Sequence, residues 1–80
     1  MDRLKMMLSM MQSRFPQSKI TVESILDRNS LRFVMRYMGP HEDYETFSRE
    51  YAECEIEEIV DPRILVNRFC DDFLEQFKPH

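Results

Sequence analysis

At 80 residues the chain has room for one core, and residues 1–80 read as a single small domain too slight to enclose a large reaction cleft. A hydrophobic share of 42% with six Phe and three Tyr excludes intrinsic disorder, and no stretch approaches the roughly 20 apolar residues of a membrane span. The net charge of −4 conceals a segregation: residues 1–40 hold seven basic against three acidic side chains, residues 41–61 nine acidic against Arg49 alone, and residues 62–80 three of each.

Residues 2–14 are expected to form a helix, with Leu4, Met7, Leu8, Met11 and Phe15 recurring along one stripe. Asp2 suits the positive helix start, and Pro16 ends the helix. Lys19–Leu26 alternates and is rich in branched residues, which predicts a strand. Asp27-Arg28-Asn29-Ser30 reads as a polar turn, and Leu31–Met38 as a second strand with Phe33, Met35 and Tyr37 on one side and Arg32, Val34 and Arg36 on the other. The main loop, residues 39–43, holds the only glycine, Gly39, where a positive φ would be cheap.

Residues 45–60 are ambiguous. Glutamate density favours helix, whereas Tyr51, Glu53, Glu55 and Glu57 alternate with Ala52, Cys54 and Ile56, which favours strand. We read a third strand, antiparallel to the second, with glutamates facing Arg32 and Arg36. In that register Tyr51 falls on the glutamate side, and only a bulge or an outside partner would account for it. Asp61-Pro62 then starts a helix to about Gln76, with Leu65, Phe69, Phe73 and Phe77 four apart and Val66, Cys70 and Leu74 beside them. Lys78-Pro79-His80 closes it. The expected fold is α+β: a two-layer α-β-β-β-α sandwich, its antiparallel three-stranded meander packed against two helices.

No constellation of catalytic residues is apparent. The two histidines, His41 and His80, fall in a loop and at the terminus, and no CxxC, HxxxH or EF-hand spacing occurs, so neither metal nor cofactor is expected. Cys54 and Cys70 both read as buried thiols without the electropositive setting that activates a nucleophile. A secreted domain this small would carry several disulfides, and Arg3, Lys5, Ser9, Gln12 and Ser13 interrupt any signal-peptide run, which points to a cytoplasmic protein with reduced cysteines.

The element order resembles that of double-stranded-RNA-binding domains, and the resemblance covers order alone. Such domains draw phosphate contacts from a basic cluster opening the second helix. Here that position reads Asp61-Pro62-Arg63-Ile64-Leu65 behind an acidic segment, so direct nucleic-acid binding is not expected.

The leading expectation is a non-enzymatic protein-binding module, an adaptor or inhibitor of a larger protein of the kind phages encode, which self-associates as a homodimer. Its partner-binding residues would be Met6 and Met10, almost opposite the main stripe of the first helix, together with Tyr44, Phe47, Tyr51, Glu53, Glu55 and Glu57 of the acidic strand. The alternative is an acidic nucleic-acid mimic that occupies the basic groove of a nucleic-acid-binding protein. Small acidic inhibitors of nucleic-acid-binding enzymes, phage-encoded ones included, look broadly similar.

Overall fold

The computed structural model describes residues 3–76; the expected roles of Asp2, Phe77, Lys78, Pro79 and His80 lie outside them. Helix α1 spans Arg3–Arg14, followed by strands β1 (Lys19–Ile25), β2 (Ser30–Met38) and β3 (Tyr44–Ala52), then helices α2 (Glu53–Glu58) and α3 (Pro62–Glu75). The strands form one antiparallel meander in the order β1-β2-β3. The architecture is α+β, with the helices packed on one face of the sheet.

Strand alternation decides which face that is. Leu31, Phe33, Met35 and Tyr37 of β2 share it with Ile20 and Val22 of β1 and with Phe47 and Tyr51 of β3. Helix α3 lies across this face. Phe69 meets Phe33 at 6.3 Å and Phe47 at 5.2 Å between ring centroids, and Phe73 meets Tyr37 at 4.9 Å, Phe47 at 5.3 Å and Phe15 at 5.1 Å. Met7 and Met11 of α1 complete the fully buried interior with Leu65, Val66 and Cys70. On the opposite face Arg32 stands between Glu23 and Glu50 and bonds to both, at 3.5 and 3.7 Å, while Glu50 also takes Arg28 at 3.1 Å and the Ser30 hydroxyl at 2.7 Å. Exposed pairs of this kind contribute about 0–1 kcal/mol each, so the apolar face holds the sheet and, with the turns, sets its register.

The single strand expected over residues 45–60 is two elements. Ser30 pairs with Ala52 in the last rung of the β2–β3 ladder, because β2 itself begins there after a 3-10 turn at Leu26–Arg28 and a left-handed Asn29 (φ 49°). Beyond that rung only the Asn29 carbonyl remains, and it accepts from Glu53 N–H at 2.9 Å. With no strand left to pair, the glutamate-rich run follows its helical propensity, and Glu53 and Glu55 suit the positive helix start. The apolar pattern serves the helix as well: Ile56 is buried and Ile59, three residues on, is half-buried. The change puts Cys54 on the surface rather than inside and lets Tyr51, opposite Leu31, keep the core face without a bulge. Of the two arginines expected to face glutamates, Arg32 does and Arg36 faces Thr46.

Two further expectations change. Gly39 does not adopt a positive φ; Glu42 (φ 62°) supplies the left-handed residue of that loop. The Glu45 carboxylate lies over Gly39 instead: a Cβ there would come within 2.1 Å of it, and the exposed glutamate would swing aside. Leu74, one residue past Phe73 and so about a quarter-turn off the packed arc, is 53% exposed.

Asp61 caps α3 as expected, its Oδ1 accepting from Arg63 N–H at 3.0 Å with Pro62 beginning the helix, and the Arg63 guanidinium returns to the carboxylate at 2.7 Å. These bonds hold the Asp61 carboxyl below its ordinary range. A depressed folded-state pKa stabilises the fold above the ordinary aspartate pKa of about 3.9, and that contribution is lost as pH falls through the folded value. Asp61→Asn is therefore expected to flatten the acid limb of an unfolding titration followed by circular dichroism. Phe69→Ala is expected to cost about 3–5 kcal/mol in urea denaturation, whereas Val60→Ala, at a side chain 90% exposed, should change stability by less than about 0.5 kcal/mol.

Candidate functional site

A concave surface lies where the α1–β1 loop meets the β2–β3 hairpin. Pro16 stops α1, and the loop that follows is tied rather than loose. Gln12 Nε2 donates to the carbonyls of Phe15 (3.1 Å) and Ser18 (2.7 Å), and its Oε1 accepts from Ile20 N–H at 3.4 Å. The Ser18 N–H and hydroxyl both return to the Phe15 carbonyl, at 3.0 and 2.7 Å. One glutamine thus fixes one wall. The facing wall is the hairpin, closed by Gly39 N–H donating to Asp43 C=O at 2.8 Å.

Between them is a cleft of about 510 Å³, floored by Phe15, Tyr37 and Phe73 and flanked by Met38 and Tyr44. A second hollow of about 330 Å³ shares Pro16, Gln17, Ser18 and Tyr44 and is bounded by Lys19 and Arg36. Tyr44, 63% exposed, stands between the two, with the Arg36 guanidinium carbon 4.5 Å from its ring centroid. Met38, its cross-strand neighbour, is 52% exposed. Arg14 borders the first cleft, while Glu42 and Asp43 sit at the hairpin tip. Adjacent apolar floor and basic rim suit an apolar or aromatic side chain carried beside a carboxylate.

The residues expected to form one partner surface divide among several places. Tyr44 belongs to this cleft. Phe47 and Tyr51 lie in the core at 5% and 7% exposure, leaving almost no surface for a partner. Glu53, Glu55 and Glu57 are on α2 rather than a strand, and Glu55 is engaged by Arg68 at 2.6 Å. Met6 is 37% exposed and lies about two turns along α1 from the cleft. Met10 is half-buried against the core and lines the α1–α3 groove with Val66. The sequence places Phe15 and Arg36 with the first helix and second strand, and predicts no contact role for them or for Met38. Their signal was weak, because a loop aromatic beside a proline acquires meaning only when the hairpin arrives opposite it.

The acidic run is also parted. Glu42 and Asp43 stand at one end of β3 and Glu53, Glu57 and Glu58 at the other, about 27 Å apart for a strand of this length. Glu50, Glu55 and Asp61 are ion-paired. Among the described residues no Asp or Glu is buried and no three His, Cys, Asp or Glu converge as metal ligands. Burial, only partly opposed by Arg14, pushes the Cys70 thiol up, away from the thiolate. No described helix is long and apolar enough to cross a membrane. The chain matches no protein-family model, no curated protein and no solved structure.

Tyr51 is the one polar anomaly among the described residues. Its hydroxyl is buried without a hydrogen-bond partner there, and it is flanked by the Arg49–Asp72 (3.5 Å) and Arg68–Glu55 pairs. Burial, reinforced by Asp72 and opposed by Arg68 and Arg49, pushes its pKa up to about 12. Stability held below pH 10 should therefore decline as pH rises toward 12. Tyr51→Phe is expected to remove that alkaline loss and to raise stability at neutral pH by about 1 kcal/mol, since it deletes an unsatisfied group; paired denaturant titrations at both pH values check this.

Proposed function

We propose that the chain is a non-enzymatic protein-binding module, an adaptor or inhibitor of a larger protein, that also associates with itself. The observation that carries the reading is the aromatic cleft at the hairpin end, where Tyr44 and Met38 are exposed on the hairpin wall opposite the loop braced by Gln12, with Arg14 at its border and Lys19 and Arg36 bounding the adjoining hollow. A domain this small has little reason to leave a tyrosine and a methionine side by side in solvent, and tyrosine at the lip of a preformed hollow is a common energetic centre of protein interfaces. The partner would present an apolar side chain flanked by acidic residues.

A nucleic-acid mimic remains the second reading, supported by the exposed Glu53, Glu57 and Glu58 of α2, none of which is ion-paired within the described residues. It has less to stand on, because mimicry of a phosphate backbone needs a continuous line of charge and β3 divides the carboxylates into two groups.

The test is affinity capture from the cells that make the protein, with wild-type and Tyr44→Ala chains side by side at low and high salt. The expected outcome is a partner retained by the wild type and bound about tenfold or more weakly by Tyr44→Ala, with unfolding transitions within about 0.5 kcal/mol of each other. A partner held equally by both chains overturns the cleft reading. A partner lost instead on reversing Glu53, Glu57 and Glu58 transfers the function to the acidic helix.

A further inference from the structure

The outer edge of β3 carries a backbone arranged to take another strand. β3 runs nine residues in unbroken register with β2, with no bulge, proline or lysine, and the charges it does carry, Glu45, Arg49 and Glu50, include both signs. Gly39 N–H bonds to Asp43 C=O, so Gly39 and Asp43 are a hydrogen-bonded pair of the antiparallel ladder. Such pairs alternate. Glu45, Phe47, Arg49 and Tyr51 accordingly direct their backbone groups to β2, while Tyr44, Thr46, Ser48 and Glu50 direct theirs to the open edge. The Ser48 carbonyl agrees with this assignment, because it is reached by an exposed side chain, Arg49 Nη1, at 2.9 Å.

We propose that two copies of the chain join β3 to β3 in antiparallel fashion about a two-fold axis at Phe47, forming a continuous six-stranded sheet. The proposal rests on the self-association in the reading above and names its surface. The occupant follows from charge. An axis at Phe47 sets Glu45 opposite Arg49 of the second copy and Arg49 opposite its Glu45, in the non-hydrogen-bonded positions where side chains approach closest. On the other face it sets Thr46 opposite Ser48. Moving the axis to Ser48 puts Glu45 opposite Tyr51 and Arg49 opposite Phe47, which leaves both charges without a counterpart across the seam. Moving it to Thr46 shortens the overlap within β3. Of these axes, only the one at Phe47 pairs Glu45 with Arg49 across the seam, and it does so twice.

In the single chain both groups are held locally. Arg49 spans Ser48 C=O and Asp72, and the Glu45 carboxylate lies beside Gly39, with Tyr37 opposite Glu45 across the ladder. Pairing returns the Ser48 carbonyl to Thr46 N–H of the second copy and turns Arg49 toward the incoming Glu45. Arg49 is therefore both the cover of the edge and its recognition group.

Sedimentation equilibrium of the full chain tests this. The wild type is expected to dimerise, and Glu45→Arg or Arg49→Glu alone to weaken the dimer about tenfold or more, equivalent to about 1.4 kcal/mol. The double exchange Glu45→Arg with Arg49→Glu should restore it to within a few-fold of the wild type. Ser48→Pro removes an N–H that the β2 ladder does not use and should abolish the dimer with the circular dichroism spectrum retained. A dimer that survives Ser48→Pro, or a double exchange that fails to restore it, overturns the β3 seam while self-association stands. A wild type that is monomeric at every concentration removes both.

Discussion

Helix α3 reaches the sheet through Phe69 and Phe73, two rings one helical turn apart that between them touch all the other aromatic groups of the central core but Tyr51. Phe69 bridges β2 and β3 through Phe33 and Phe47; Phe73 bridges the hairpin to the end of α1 through Tyr37 and Phe15. A three-stranded sheet with one apolar face needs a second layer to keep that face from water. The pair of rings supplies the second layer that makes the meander stable, and because rings pack edge to face rather than sliding freely, it also fixes where α1 ends relative to the hairpin. The remaining features follow from that placement.

One consequence is the cleft. Phe15 and Phe73 must meet, which brings the α1–β1 loop against the hairpin, and the Gln12 bonds keep the loop from collapsing into the space between. Another concerns β3. Its inward side chains are committed to α3, so Phe47 is buried although it lies on an edge strand, while the backbone on the far side of the same strand has no neighbouring strand among the described residues. Charge is distributed around this frame. Glu50 is drawn into the outer-face arginines, Glu55 into Arg68, and Glu42 and Asp43 are left at one end of β3 with Glu53, Glu57 and Glu58 at the other.

Much of the fold was legible in the residues. Helix α1, both strands of the first hairpin and α3 follow from periodicity, and Pro16 and Asp61-Pro62 mark their boundaries with backbone chemistry that tolerates few alternatives. Residues 53–58 were not, because Ala52, Cys54 and Ile56 fit alternation while Ile56 and Ile59 fit a helical step. The deciding fact, that β2 has no residue beyond Ser30 to offer, is a property of the paired strand and not of the segment itself. Of the expected contact residues, Tyr44 lies in the cleft, whereas Phe47 and Tyr51 were assigned to an acidic surface that the end of the strand at Ala52 removes.

What the sequence determined by itself was the inventory and its local geometry: two amphipathic helices, a hairpin, one apolar face and a polarised distribution of charge, all set by interactions among residues close along the chain. The tertiary structure alone decided where β3 stops, that the Glu45 carboxylate lies over Gly39, and that Phe15, Pro16 and Tyr44 enclose a hollow. Each of these depends on groups brought together from distant parts of the chain, and no pattern within a short window encodes which neighbour will be there.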